Sequence, residues 1–248
     1  RYPSAHAYYE AMVRVAQIAT RTAAIQNDHL VAVHNFADVG GVRVLIMEWL
    51  DGYDLACLLT DQMFRRSRDR LSRRRWQYLN QTTITDGSVR PRLRPDVAFK
   101  LLGDCLHALA ALEREGIVHG DLKPSNIMLK RSGSAKIIDL GSSFHRDDPP
   151  PRRTCTPTYA APEVLEGATP SLQSDLASLG YVFVEMLSGA TLFGGISDCH
   201  ELIAAKRSLH VRIPEILPPE IVRDEFLLEL CRNLTAPDPT LRALPDAG

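Results

Sequence analysis

The run His119-Gly120-Asp121-Leu122-Lys123-Pro124-Ser125-Asn126 puts a carboxylate, an ammonium and a primary amide into one short stretch. Phosphoryl transfer from a nucleoside triphosphate needs those three groups. A carboxylate orients the attacking hydroxyl, an oxygen ligand holds the metal on the phosphates, and positive charge offsets what develops in the transition state. Further along, "IIDLG" ends an apolar run in Asp139 with Gly141 close behind, a second carboxylate on a flexible turn.

The elements that must carry these groups follow from periodicity. Residues 5–26 are Ala-rich with apolar positions three and four apart, and the spacing predicts a helix. Two β-rich runs then flank Val39-Gly40-Gly41, a hairpin signal. "YDLACLLTDQ" predicts a short helix. Residues 95–116 line up Val97, Leu101, Leu102, Cys105, Leu106, Leu109 and Leu112 on one face, the clearest amphipathic helix in the chain. Asp96 is its expected N-cap and Gly116 its expected stop. "AKIIDLG" predicts a buried strand, "DDPPPRRTCTPT" a loop, and "SDLASLGYVFVEMLSG" a central apolar helix. The tail at 198–236 predicts helices broken at Pro214, Pro218 and Pro219.

Composition sets outer limits. The 248 residues are 45% hydrophobic and 24% charged, with a formal net charge of −1. That balance is ordinary for globular protein and gives no general pull toward nucleic acid or an anionic membrane. Charge is nevertheless uneven, since residues 61–95 hold ten Arg against three Asp. "RRSRDRLSRRRW" predicts a basic helix and "NQTTITDGSVRPRLRP" a loop. The stretch reads first as a solvated surface insertion, and second as a docking patch for an acidic partner or nucleic acid over residues 65–94. Five scattered Cys without a C-x-x-C pair argue against a zinc site or a disulfide framework and fit a cytoplasmic protein. No apolar run is long enough to span a membrane. The chain begins at Arg1 and stops at "LPDAG", which reads as a piece of something longer.

Five motifs in order carry a resemblance: H-x-D-x-K-P-x-N, D-x-G, A-P-E, S-D-x-x-S-L-G and D-P-x-x-R. Together they resemble the protein-kinase family from the helix before the hinge through the lower lobe. The resemblance implies an α+β, two-lobed fold with an incomplete upper lobe. Residues 1–50 would be its remnant, with the hinge at 48–50, and 51–248 the lower lobe with an insertion at about 61–95. It also implies ATP, Mg2+ and a protein substrate phosphorylated on Ser or Thr. By resemblance Asp121 is the catalytic base, Lys123 the γ-phosphate lysine, and Asn126 and Asp139 the magnesium ligands. Met47 matches the gatekeeper, Glu48 to Leu50 the adenine-binding backbone, Asp54 the ribose carboxylate and Met128 the adenine floor. His119 would pack against Leu140, and Thr156 would bond Asp121 and Lys123. Glu163 with Arg242 would pin the activation segment, and Asp175 would hold the catalytic-loop backbone.

The departures are as specific as the matches. H-G-D in place of H-R-D also occurs in small-molecule kinases of the aminoglycoside phosphotransferase type. Those lack the A-P-E segment and do not normally read Lys-Pro after the Asp; this chain has both. Gly120 cannot grip an activation-loop phosphate, so activity is expected not to depend on phosphorylation at Thr154 or Thr158. No Gly-rich loop is present, and the first Lys is Lys100, after the hinge, so no strand lysine is available. Its usual Glu partner would fall near Gln17 or Ile18, and neither is acidic. Two readings follow: a kinase domain whose missing strands lie upstream, or a pseudokinase scaffold that binds partners without catalysis.

Overall fold

The computed structural model describes residues 4–39, 42–60, 70, 72–74, 76–77, 84–85, 91–151 and 155–242. Its upper part is a helix and a hairpin: α1 (Ala5–Ala23), then antiparallel β1 (Val33–Val39) and β2 (Val42–Met47). Ile18 and Ala19 turn into the core, and Gln17 faces out. The Gly40-Gly41 turn lies outside the described residues. Below it come β3 (Gly52–Asp54) and the single-turn α2 (Leu55–Leu58), shorter than the predicted helix.

A two-residue ladder of β4 (Ile84–Thr85) with β5 (Arg92–Leu93) interrupts what the sequence predicts as loop. Leu93 is fully buried, and that anchor is what the pattern of isolated polar residues hid. Most of the Arg-rich stretch lies outside the described residues. Positions 70, 73–74 and 76–77 are helical, with Arg70, Arg73 and Arg74 exposed.

The lower part is organised by two long helices, α3 (Pro95–Arg114) and, further on, α5 (Leu172–Ser188). Between them run β6 (Ile117–Val118), β7 (Ile127–Lys130), β8 (Ala135–Ile137), β9 (Phe144–His145) and the short α4 (Pro162–Leu165). β3, β7 and β8 form one antiparallel sheet, and β6 pairs with β9. The upper part is stitched to β8, where Ile137 N donates to His29 O at 2.8 Å and Val31 N donates to Ile137 O at 2.9 Å.

Every residue of α5 from Ser174 to Ser188 is buried, as an apolar helix in a domain's centre must be. Ser171 and Ser174 close a capping box at its start. α6 (Cys199–Ile216), α7 (Pro219–Val222) and α8 (Glu225–Leu234) complete the lower part. Gly180 lets α8 approach, since a Cβ there would stand 2.8 Å from Leu234 Cβ.

Three helix limits differ from expectation. The first helix ends at Ala23, three residues early. α3 is capped by Arg94 rather than Asp96, because Pro95 is suited to the first helical position and pushes the cap before it. Asp96 then sits in the first turn and pairs with Arg94 at 3.1 Å. Pro214 does not break α6. It lies in the last turn, and the helix runs on past it to Ile216, with Leu217 N donating to Ile213 O.

Candidate active site

The loop from His119 to Asn126 is held from below by Asp175, near the start of α5. Its buried carboxylate accepts from His119 N at 2.8 Å and Gly120 N at 2.9 Å. Burial pushes this carboxyl above its ordinary value, against the His119 ring and the two amides, which favour the charged form. Gly120 has φ +78°, and a Cβ there would meet Ser142 O at 3.1 Å, so the sharp entry into the loop suits glycine. His119 is fully buried and its Nε2 faces Ile138 O at 3.2 Å. That contact places the proton on Nε2 and leaves Nδ1 to accept from Asp121 N at 3.4 Å.

Asp121, Lys123 and Thr156 close a triangle. Asp121 Oδ2 accepts from Lys123 Nζ at 2.6 Å, and Oδ1 from Thr156 N at 2.8 Å. Lys123 Nζ also donates to Thr156 Oγ1 at 3.0 Å. Asn126 Nδ2 donates to Asp121 O at 2.9 Å, so the amide is oriented by the loop it closes. Its Oδ1 has a 3.5 Å contact from Ser125 Oγ.

Asp139 is brought beside Asn126 by one residue, because Ile138 N donates to Asn126 O at 2.9 Å. Its backbone is left-handed at φ 62°, the one such non-glycine among the described residues. The carboxylate is exposed and accepts from Gly141 N at 3.1 Å. Strained backbone of this kind is retained where the surroundings fix it, often at functional turns.

On the other side of the sheet, the β3–β7 register sets Asp54 directly opposite Met128, which is half-buried. Asp54 Oδ1 caps α2 by accepting from Cys57 N at 2.7 Å, which orients the carboxylate. The Glu48 side chain is engaged away from any ligand. It accepts from Ala32 N at 2.7 Å and pairs with buried Lys136, which also donates to Leu30 O at 3.2 Å. Burial would raise the Glu48 carboxyl, but the Lys136 ammonium and the Ala32 amide hold it below its ordinary value. Glu48 therefore ties the end of β2 to β8 through its side chain. Met47 is 40% exposed and Leu50 half-buried.

Comparison with known proteins decides the family. The model for the protein kinase domain matches residues 18–246. The chain belongs to the protein kinase family. It is 30% identical over 198 residues to the serine/threonine-protein kinase PkaB of Streptomyces coelicolor, covering 75% of this chain and 41% of that protein. It is 25% identical over 224 residues to the probable serine/threonine-protein kinase PknB of Lactococcus lactis, covering 86% and 31%. Rat cyclin-dependent kinase 20 is 35% identical over 161 residues, covering 63% and 46%. The chain thus spans less than half the length of each of these relatives.

With the kinase family established, the α+β fold and the order of motifs agree with its lower-lobe architecture. Arg242, 2% exposed, forks onto Glu163 with contacts of 2.6 Å and 3.0 Å, the pairing expected from the A-P-E and D-P-x-x-R motifs. Tyr159 of the segment before A-P-E donates its hydroxyl to Glu185 Oε2 at 2.9 Å, and Leu192 N donates to Glu185 Oε1 at 3.0 Å. A pocket of about 130 Å³ opens beside Lys123 and Ser125, with Tyr159 and Glu185 at its back and Ala56, Leu59 and Pro124 as its apolar wall.

Lys136, Glu185 and Lys206 escaped the sequence reading. Lys136 and Lys206 are each the one charge among the inward-facing residues of a strand or helix, and Glu185 shares buried α5 with Asp175 alone; that isolation was the available signal.

Proposed function

We propose that the protein to which this kinase domain belongs transfers the γ-phosphoryl group of ATP to Ser or Thr hydroxyls of protein substrates. The observation that carries this reading is the Asp121–Lys123–Thr156 triangle, with Asn126 and Asp139 joined beside it. The printed names of the relatives from Streptomyces and Lactococcus point to the same acceptor class.

Asp121 is held by the Thr156 amide and the Lys123 ammonium so that its carboxylate can accept the proton of an incoming hydroxyl. Lys123, already between Asp121 and Thr156, sits where it can offset charge on the transferring group. The donor set at Asn126 and Asp139 is one amide and one carboxylate, hard oxygens that suit magnesium. Among the described residues no group of three or more His, Cys, Asp or Glu forms a metal cage. Magnesium needs none, because it is held by one or two protein oxygens together with substrate phosphates. When bound it supplies charge neutralisation on the phosphates. Main chain at 48–50 would take adenine, with Met47 and Met128 on its faces and Asp54 toward the ribose.

The same proposal divides the chain at 50/51 into upper and lower parts, with residues 61–95 inserted. The cysteines are free thiols, which supports a reducing, cytosol-like compartment. No helix among the described residues is long and apolar enough to cross a membrane. An acidic partner at 65–94 is supported by charge, and by the exposure of Arg70, Arg73 and Arg74. Arg92 of that stretch is already paired with Glu220 at 2.8 Å.

Incubating the full-length protein with magnesium and γ-labelled ATP, followed by phosphoamino-acid analysis of its substrate, tests the reading. Label on Ser or Thr that disappears in Asp121→Asn supports it. A protein that binds its partners normally but transfers no label from ATP is a scaffold, and the proposal fails.

A further inference from the structure

Leu202, Lys206, Leu209 and Ile213 form the buried face of α6, and a lysine is out of place among them. Lys206 is fully buried. No ion pair among the described residues includes it. Its Nζ instead donates to the Thr158 carbonyl at 2.7 Å and stands over two rings, 4.2 Å from the centre of Tyr181 and 4.0 Å from that of Phe193. The rings meet edge to face at 5.1 Å, so the ammonium is boxed by two aromatic faces and one main-chain oxygen. A leucine or methionine would fill this part of the helix face without the desolvation cost of a charge. The retained charge must therefore act on what it touches, and what it touches is the segment that runs from Cys155 to the A-P-E motif.

That segment leads straight to the catalytic pair. Thr156 O accepts from Tyr159 N at 2.9 Å and Ala160 N at 3.0 Å, so residues 156–160 move as one turn. α5 holds the turn at Tyr159, whose carbonyl accepts from Ser178 Oγ at 2.8 Å. α6 holds it at Thr158. At its front end Thr156 makes the two bonds to Asp121 and Lys123. We propose that Lys206 is a positioning residue for phosphoryl transfer: by gripping Thr158 it keeps the turn where Thr156 orients Asp121 and Lys123. This rests on the kinase reading above for its catalytic consequence, though not for the grip itself.

The grip is pH-sensitive. Burial pushes the ammonium down to about 7, while the carboxylates of Glu185 of α5 and Glu163 of α4 pull it up. Glu163 is paired with Arg242, and Glu185 is engaged with Tyr159 and Leu192. Burial and Asp121 push the Cys155 thiol upward, so it stays neutral near pH 7. The Tyr181 hydroxyl is likewise pushed upward by burial. The cation is present below about 7 and is lost as pH rises through that value. A neutral amine gives up the ring contacts and the charge-assisted bond to Thr158.

Lys206→Met and Lys206→Arg in the full-length protein test the proposal. Lys206→Met should lower kcat/KM for the Ser/Thr acceptor by about tenfold while KM for ATP stays near wild type. Amide exchange at Thr156, Tyr159 and Ala160 should quicken without a lower melting temperature. Between pH 6 and 8 the wild type should lose acceptor kcat/KM beyond the trend of Lys206→Met, and Lys206→Arg should keep it (about one pH unit either side of the titration). Wild-type exchange and an unchanged pH profile in Lys206→Met overturn the proposal and leave Lys206 a core residue. Quickened exchange in a protein whose wild type transfers no phosphoryl group sinks the kinase reading and sustains the grip. Should Lys206→Met melt early, wild-type exchange decides: protection of Thr156 must fall as pH crosses about 7, beyond the intrinsic rise with pH.

Discussion

The lower part of the molecule and the upper part are built differently. Below, Asp175, Asp121, Lys123, Thr156, Glu163 and Arg242 are joined by short bonds to one another and to main chain, over a helix buried on every side. Above, Ile46 and Met47 are about two-fifths exposed and Trp49 is 92% exposed. Much of the upper part's attachment runs through β8, by the main-chain bonds at Ile137 and the Glu48–Lys136 pair. The lower part is therefore pre-assembled by buried contacts, whereas the upper part is tied down largely at β8. Removing a lower-part group should cost chemistry or stability, according to whether the group faces the acceptor or holds buried main chain; removing an upper one should cost nucleotide affinity first.

The largest expected effect is on Asp121. Asp121→Asn keeps the shape but cannot take a proton, and turnover of the full-length protein should fall by about 10³-fold. Steady-state kinetics checks this against an unchanged melting temperature. Asp175→Ala comes next. It leaves the His119 and Gly120 amides buried without their acceptor and should destabilise the domain by about 3 kcal/mol, read as a shift in urea midpoint. An unchanged midpoint would show that the two regions are not built as differently as described.

Lys136→Met probes the other side. It strands the Glu48 carboxylate against Ala32 and should cost about 1–2 kcal/mol, with weaker ATP binding and little change in acceptor KM. A loss of acceptor affinity instead would erase the distinction between the two sides. A smaller, signed effect belongs to Lys206. Its ammonium is lowered to about 7 in the fold, from 10.5, so between those values the folded protein binds fewer protons than the unfolded chain. Stability should rise with pH across that window in the wild type relative to Lys206→Met, as urea midpoints at several pH values would show. The smallest expected effect is none: Thr154→Ala and Thr158→Ala should leave turnover at the wild-type level, because Gly120 offers nothing to hold a phosphate there. Abolished activity in either variant would contradict that reading.

Local chemistry was legible in the sequence because its geometry is local. Asn126 closes onto Asp121 O within one loop, and Asp139 follows a strand paired with the strand that leaves that loop. The ties of Asp175 to His119 and of Arg242 to Glu163 cross long stretches of chain, and only the family resemblance made them expected. Lys136 with Glu48, and Lys206 with Thr158, had neither aid. Nothing in spacing says which distant group a lone buried charge will meet. Limits of elements failed where one residue outweighed a pattern, as Pro95 did over Asp96, and where two residues of ladder at β4 and β5 were too few to show a period.

Calorimetric titration of the full-length protein with ATP, with and without magnesium, tests the metal-centred core of this account most directly. Binding that strengthens with magnesium in the wild type and loses that dependence in Asp139→Ala is the predicted result. Equal affinity with and without magnesium, or an Asp139→Ala variant indistinguishable from wild type, would contradict it.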